Sequence, residues 1–109
     1  MQVLCTLGDL DAAQARGVTI ERDGLPLELF VVRREDEIFA YVDRCPHAGL
    51  PLAWVADQYL DASGEFLVCA THGARFDIAS GECRGGPCGG RGLTPLPVRV
   101  EGDRVVLDE

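Results

Sequence analysis

The chain contains only two histidines, and each stands beside a cysteine at short spacing: Cys45-Pro46-His47 in one place, Cys69-Ala70-Thr71-His72 in another. Residues 48 to 68 separate the pairs, so a fold that uses all four side chains must hold two loops face to face on a scaffold. Each pair supplies one thiolate and one imidazole, which together suit a soft metal site. Two Cys and two His are also a standard zinc set, yet finger-type zinc sites pair Cys with Cys and His with His. The mixed pairing sets a zinc-stabilised interaction domain behind a centre with two unlike metal positions.

The rest of the chain has the rhythm of short strands. Segments Val3 to Leu7, Val18 to Arg22, Leu27 to Arg33, Ile38 to Val42, Phe66 to Cys69, Val98 to Glu101 and Arg104 to Leu107 alternate with turn residues. Asp23-Gly24, Glu35-Asp36, Ser63-Gly64 and Gly102-Asp103 mark reversals. With 13 Gly and 6 Pro in 109 residues, this predicts an all-β fold, a small antiparallel β-sandwich or barrel forming one domain over 1–109. Asp9 to Arg16, closed by Gly17, reads as the one helical turn, with Asp9 or Asp11 as its N-cap. Two stretches break the rhythm, at about 45–60 and 69–92, apart from a short run around Arg75 to Ile78 in the second. Rich in Gly, Pro and small residues, they are expected to close over one site.

Eighteen acidic residues face ten basic ones, and all ten are Arg because the sequence contains no Lys. A net charge of −8 argues against a nucleic-acid surface and favours steering toward a basic protein partner, with a merely solvated acidic surface as the equal alternative. No run approaches the ~18 apolar residues of a membrane span, and the start lacks the regions of a secretory signal, so a cytoplasmic location is expected. No Gly-x-Gly-x-x-Gly opens a helix, and a phosphate loop needs a Lys, so nucleotide cofactors are not expected. The odd count of five Cys favours metal ligands and thiols over a disulfide framework.

Two Cys and two His suit a two-iron two-sulfur cluster in which one iron takes both thiolates and the other both imidazoles. Here the sequence resembles the Rieske family, whose motif is Cys-x-His followed, after a spacer, by Cys-x-x-His. Cys45-Pro46-His47-Ala48-Gly49 and Cys69-Ala70-Thr71-His72-Gly73-Ala74-Arg75-Phe76-Asp77 look like its two boxes. Gly85-Gly86-Pro87, followed by Leu96-Pro97-Val98, resembles its third cluster-covering loop and return strand. The resemblance implies antiparallel sheets with an inserted cluster-binding subdomain, one cluster, and Cys45, His47, Cys69 and His72 as the ligands of its iron. Oxygenases of the family need two further His for a mononuclear iron, and none remains, so no catalytic site is expected.

Respiratory members add a disulfide between the boxes; Leu50 and Thr71 occupy those positions here. Ala74 and Phe76 stand where that type has Ser and Tyr, which removes two hydroxyl donors to the cluster and its ligand sulfur. Loss of such bonds disfavours the more negative reduced state and predicts a potential of about −150 mV rather than about +300 mV. The resemblance thus implies a soluble ferredoxin that takes electrons from a flavin-dependent reductase and passes them to an oxygenase by transient contact. A small Rieske-like subunit of a nitrite reductase is the alternative. Leu50, Pro51 and Pro87 are candidates for an apolar docking rim, with loop packing as the equal alternative. Reduction beside two imidazoles is expected to couple to proton uptake at alkaline pH. Cys83 and Cys88 flank the third loop and are expected as free thiols in a reducing cytoplasm, with a disulfide between them that stiffens the loop as the alternative. Cys5 is expected as a small buried hydrophobe, and Trp54 and Tyr59 as packing residues.

Overall fold

The computed structural model describes residues 2–11, 14–44, 59–61, 63–69, 73–85 and 92–108. Their strands are β1 (Gln2–Thr6), β2 (Ala15–Arg22), β3 (Leu25–Arg34), β4 (Glu37–Val42), β5 (Phe66–Val68), β6 (Arg75–Asp77), β7 (Cys83–Gly85), β8 (Pro95–Leu96), β9 (Val98–Glu101) and β10 (Arg104–Leu107). They form three antiparallel sheets, ordered β1-β10-β9, β2-β3-β4-β8 and β5-β6-β7. The expected all-β class with an inserted subdomain is the fold observed.

Strand β3 explains how the layers stack. Leu29, Phe30, Val31 and Val32 are all fully buried, a run that only a strand covered on both faces can support. Successive side chains point to opposite faces, and the core divides accordingly. Leu29 and Val31 pack with Leu4, Cys5, Leu10, Ile20, Ala40, Val105 and Leu107, toward the β1-β10-β9 sheet. Phe30 and Val32 pack with Tyr41, Tyr59, Leu67, Cys69, Ala74, Phe76 and Ile78, toward the β5-β6-β7 sheet. The four-stranded sheet is therefore a middle layer with a core on each side.

Tight turns set the register. Asp23 (φ 54°) and Gly24 (φ 79°) supply the left-handed pair that joins Arg22 to its partner Leu25, the geometry a two-residue hairpin needs. Strand β4 pairs with β8 through Ala40 to Leu96 and Tyr41 to Pro95. The chain between them carries β5, β6 and β7, so that hairpin unit is inserted between two neighbouring strands of the middle sheet.

The helical turn expected over Asp9 to Arg16 is corrected. Among the described residues of this segment only Gly8–Leu10 is helical, a single 3-10 turn, and its N-cap is Leu7 with no side-chain cap. The Asp9 carboxylate instead accepts from the Thr6 amide at 2.9 Å, while Thr6 Oγ1 accepts from the Asp9 amide. Gln14 turns the chain with φ 61°, and Ala15 to Gly17 then pair with Val32 to Phe30. Sheet pairing and burial of Ala15 outweigh a weak local helical preference here. Strands β7 and β8 fall in or beside the segment expected to be loop.

Candidate metal centre

Of the four expected ligands, Cys69 lies within the described residues; Cys45, His47 and His72 lie outside them. Among the described residues no group of three or more His, Cys, Asp or Glu side chains is arranged to hold a metal ion. Cys69 follows β5 at the head of the β5–β6 hairpin, where Val68 pairs with Arg75. Its amide donates to the Ala74 carbonyl at 2.8 Å, and its carbonyl accepts from the Gly73 amide at 2.8 Å. Gly73 has φ 71°, a conformation that an L side chain would strain, so the short spacing of the second box needs this glycine. The Cys69 thiol is free and fully buried.

Leu67, Ala74 and Phe76 share the apolar core around Cys69, and each is fully buried. A buried sulfur in an apolar shell, in a chain whose expected donor set is two Cys and two His, fits an iron–sulfur cluster.

The stems of the loops are tied by hydrogen bonds. Before Cys45, the amides of Val42 and Asp43 donate to the carbonyls of Thr94 and Glu28 at 2.9 and 3.0 Å. Before Cys69, Val68 donates its amide to the Tyr59 carbonyl at 2.9 Å, and Leu60 bridges to Leu67. At the third loop, Leu93 donates to the Gly81 carbonyl at 2.8 Å. Arg84 Nη2 donates to Asp77 Oδ2 at 2.9 Å, which with the Ala79 amide holds the Asp77 carboxyl below its ordinary pKa.

Cys83 corrects an expectation: it is disulfide-bonded, and its partner lies outside the described residues. A sulfur in that state has no proton, so its 3.7 Å approach to the Gly85 carbonyl is a contact and not a donated bond. The expectation rested on the redox compartment, which bears on thiols in general and not on which sulfurs local geometry brings together. Cys88 and the rim residues Leu50, Pro51 and Pro87 lie outside the described residues, as does Trp54. Cys5 is buried and free, as expected; burial, with the Asp9 carboxylate adding to it, pushes its thiol up to about 11.

Tyr59 does pack, stacked on Phe30 with centroids 4.4 Å apart, but it also does something the sequence reading missed. Its hydroxyl donates to Asp43 Oδ2 at 2.9 Å. Tyr41, also missed, donates from its hydroxyl to the Ile78 carbonyl at 2.6 Å. The available signal was that these are the chain's two tyrosines, one in the strand leading to the first box and one in the segment leading to the second.

An inserted antiparallel hairpin carried by a three-layered β scaffold, with a free, buried cysteine at its turn, defines a small all-β protein with a hairpin subdomain. Residues 1–105 match the Rieske [2Fe-2S] domain, and the chain belongs to that family, with one cluster of that type as its cofactor. The fold is similar to a chain in the complex of reduced oxygenase and oxidized ferredoxin in carbazole 1,9a-dioxygenase (27% identity, TM-score 0.73, covering 94% of this chain and 87% of that one). It is similar to the ferredoxin of carbazole 1,9a-dioxygenase from Nocardioides aromaticivorans IC177 (26%, 0.73, 96% and 93%). A ferredoxin of Sphingomonas yanoikuyae B1 shares the fold at 24% identity (0.73, 98% and 96%). No curated protein matches the sequence. Among the described residues no helix is long and apolar enough to cross a membrane.

Proposed function

We propose that the chain is a cytoplasmic one-electron carrier that receives electrons from a flavin-dependent reductase and delivers them to an oxygenase, without catalysis of its own. The observation that carries this reading is the free, fully buried Cys69 at the turn of the inserted hairpin, in a chain that matches the Rieske domain over nearly its whole length. Similarity to the ferredoxin of carbazole 1,9a-dioxygenase, over most of both chains, supports the oxygenase as acceptor.

Cys45 and Cys69 would hold one iron and His47 and His72 the other. The cluster supplies a reversible one-electron couple at a potential that its neutral His ligands raise above that of an all-Cys cluster. The chain does the rest. Leu67, Ala74 and Phe76 keep water from Cys69, Gly73 sets the turn between Cys69 and Ala74, and the β4 and β5 stems fix the two loops. With both histidines used as ligands, none is left for a mononuclear iron.

Anaerobic purification followed by dithionite reduction tests the centre. Two irons per chain and a reduced Rieske-type paramagnetic signal are expected, lost in each of Cys45→Ser, His47→Ala, Cys69→Ser and His72→Ala. Stoichiometric zinc in a colourless protein is the contrary result. Anaerobic stopped-flow mixing with a flavin reductase, then with a Rieske oxygenase, tests the partners. Failure to be reduced by the first, or to reduce the second, sinks that half of the reading.

A further inference from the structure

The geometry points to Tyr59 and Tyr41 as positioning residues for the cluster, a crossed pair of hydroxyls that ties the inserted unit to β4 and the stem that follows it. The inference rests on the carrier reading above and adds to it.

Tyr59 belongs to the inserted unit and reaches out of it. Through its backbone carbonyl it accepts from Val68, the residue before Cys69. Through its hydroxyl it donates to Asp43, which stands two residues before Cys45 in the chain. One residue, through its backbone on one side and its side chain on the other, thus ties together the stems that lead to the two proposed thiolate ligands of one iron. Tyr41 makes the reverse crossing, from β4 of the middle sheet to the Ile78 carbonyl just beyond β6. Phe30 stands between the rings, stacked on Tyr59 and tilted 41° to Tyr41 with centroids 5.8 Å apart.

Each crossing has a glycine that makes room for it. A Cβ on Gly17 would stand 2.6 Å from the Tyr59 hydroxyl oxygen, and one on Gly81 would stand 2.7 Å from Tyr41 Cε1. Real Cβ contacts do not come that close, so both sites exclude alanine unless the tyrosine moves. Gly17 lies on β2, in a different sheet from the β5–β6 hairpin, and no local turn requires it. The Tyr59 hydroxyl accounts for it.

The loops around a cluster set its ligand angles and sulfur environment, so support beyond the ligands governs spread in cluster geometry and the rate of cluster loss. In Tyr59→Phe the reduced paramagnetic lines are expected to broaden, and release of iron to a chelator to accelerate about tenfold. Gly17→Ala, which touches neither Tyr59 nor Asp43 covalently, is expected to reproduce both changes. Asp43→Ala is expected to do the same, with no further change in the double variant with Tyr59→Phe, whereas Asp43→Asn keeps an acceptor and restores the native signal. Tyr41→Phe broadens the lines through the second crossing.

Val105→Ala, in the opposite core, is the control for lost stability alone: it lowers the unfolding midpoint and leaves line shape and iron release unchanged. Native line widths and iron release in Tyr59→Phe and Gly17→Ala, or effects that add in the double variant, overturn the clamp. A wild-type protein that shows no reduced Rieske-type signal overturns the carrier reading itself, and is distinguishable because it fails before any substitution.

Discussion

Tyr41 illustrates what a single buried acid does to the whole chain. It is 1% exposed, and burial, with the Asp77 carboxylate adding to it, pushes its hydroxyl from 10.0 up to about 12. The unfolded chain therefore releases this proton near pH 10 while the folded chain keeps it, so stability is full below pH 10 and falls as pH rises toward 12. Cys5 acts in the same direction, beginning near 9.0 and ending near 11. Urea unfolding from pH 8 to 12 should show a loss approaching ~3 kcal/mol from Tyr41. Tyr41→Phe should unfold about 1 kcal/mol more easily at pH 8 yet lose less above pH 10. At this scale the sequence was legible where the pattern is local: the two short Cys/His spacings were enough to suggest the family that residues 1–105 match. The bond from Tyr59 to Asp43 was not, because it exists only after two sheets have packed.

Strand β3 carries the clearest element-level consequence, since its two faces serve different cores. Leu29→Ala should cost about 3 kcal/mol by opening a cavity under the β1-β10-β9 sheet, with the reduced spectrum of the cluster unchanged. Phe30→Ala, one residue on, should cost about 3–5 kcal/mol and also disturb that spectrum, because Phe30 packs against both tyrosines. Denaturant melts compared with paramagnetic resonance separate the two. The β3 run could be read from its apolar residues and the Asp23-Gly24 reversal. Three-residue β7 and two-residue β8 could not, because partner strands, and not their own composition, define them. The misread helix over residues 9 to 16 belongs with these: Ala15 takes its conformation from Val32 across the sheet.

Over the whole molecule, a charge of −8 distributed without a single Lys should steer encounter with a basic partner surface. Under the carrier reading, the second-order rate of electron delivery should fall about tenfold from low salt to high salt. A flat salt profile in stopped-flow measurements would assign recognition to apolar contact instead. The charge balance and fold class were legible from the sequence. The three-layer arrangement emerged only from the partition of β3 between two cores.

The pairing of β4 with β8 brings together the two ends of the inserted unit, with Val42 donating to Thr94 at 2.9 Å. Seen from the middle sheet, everything between these residues is a single excursion that leaves and returns at one doorway. Damage inside it need not propagate through the doorway, because among the described residues the core of Leu29, Val31, Val105 and Leu107 takes none from the excursion. Stripping the iron should accordingly leave amide protection at those four positions intact while Leu67 and Phe76 exchange faster, as hydrogen exchange would record. That outcome would mean that the cluster is rebuilt on a foundation that never unfolds.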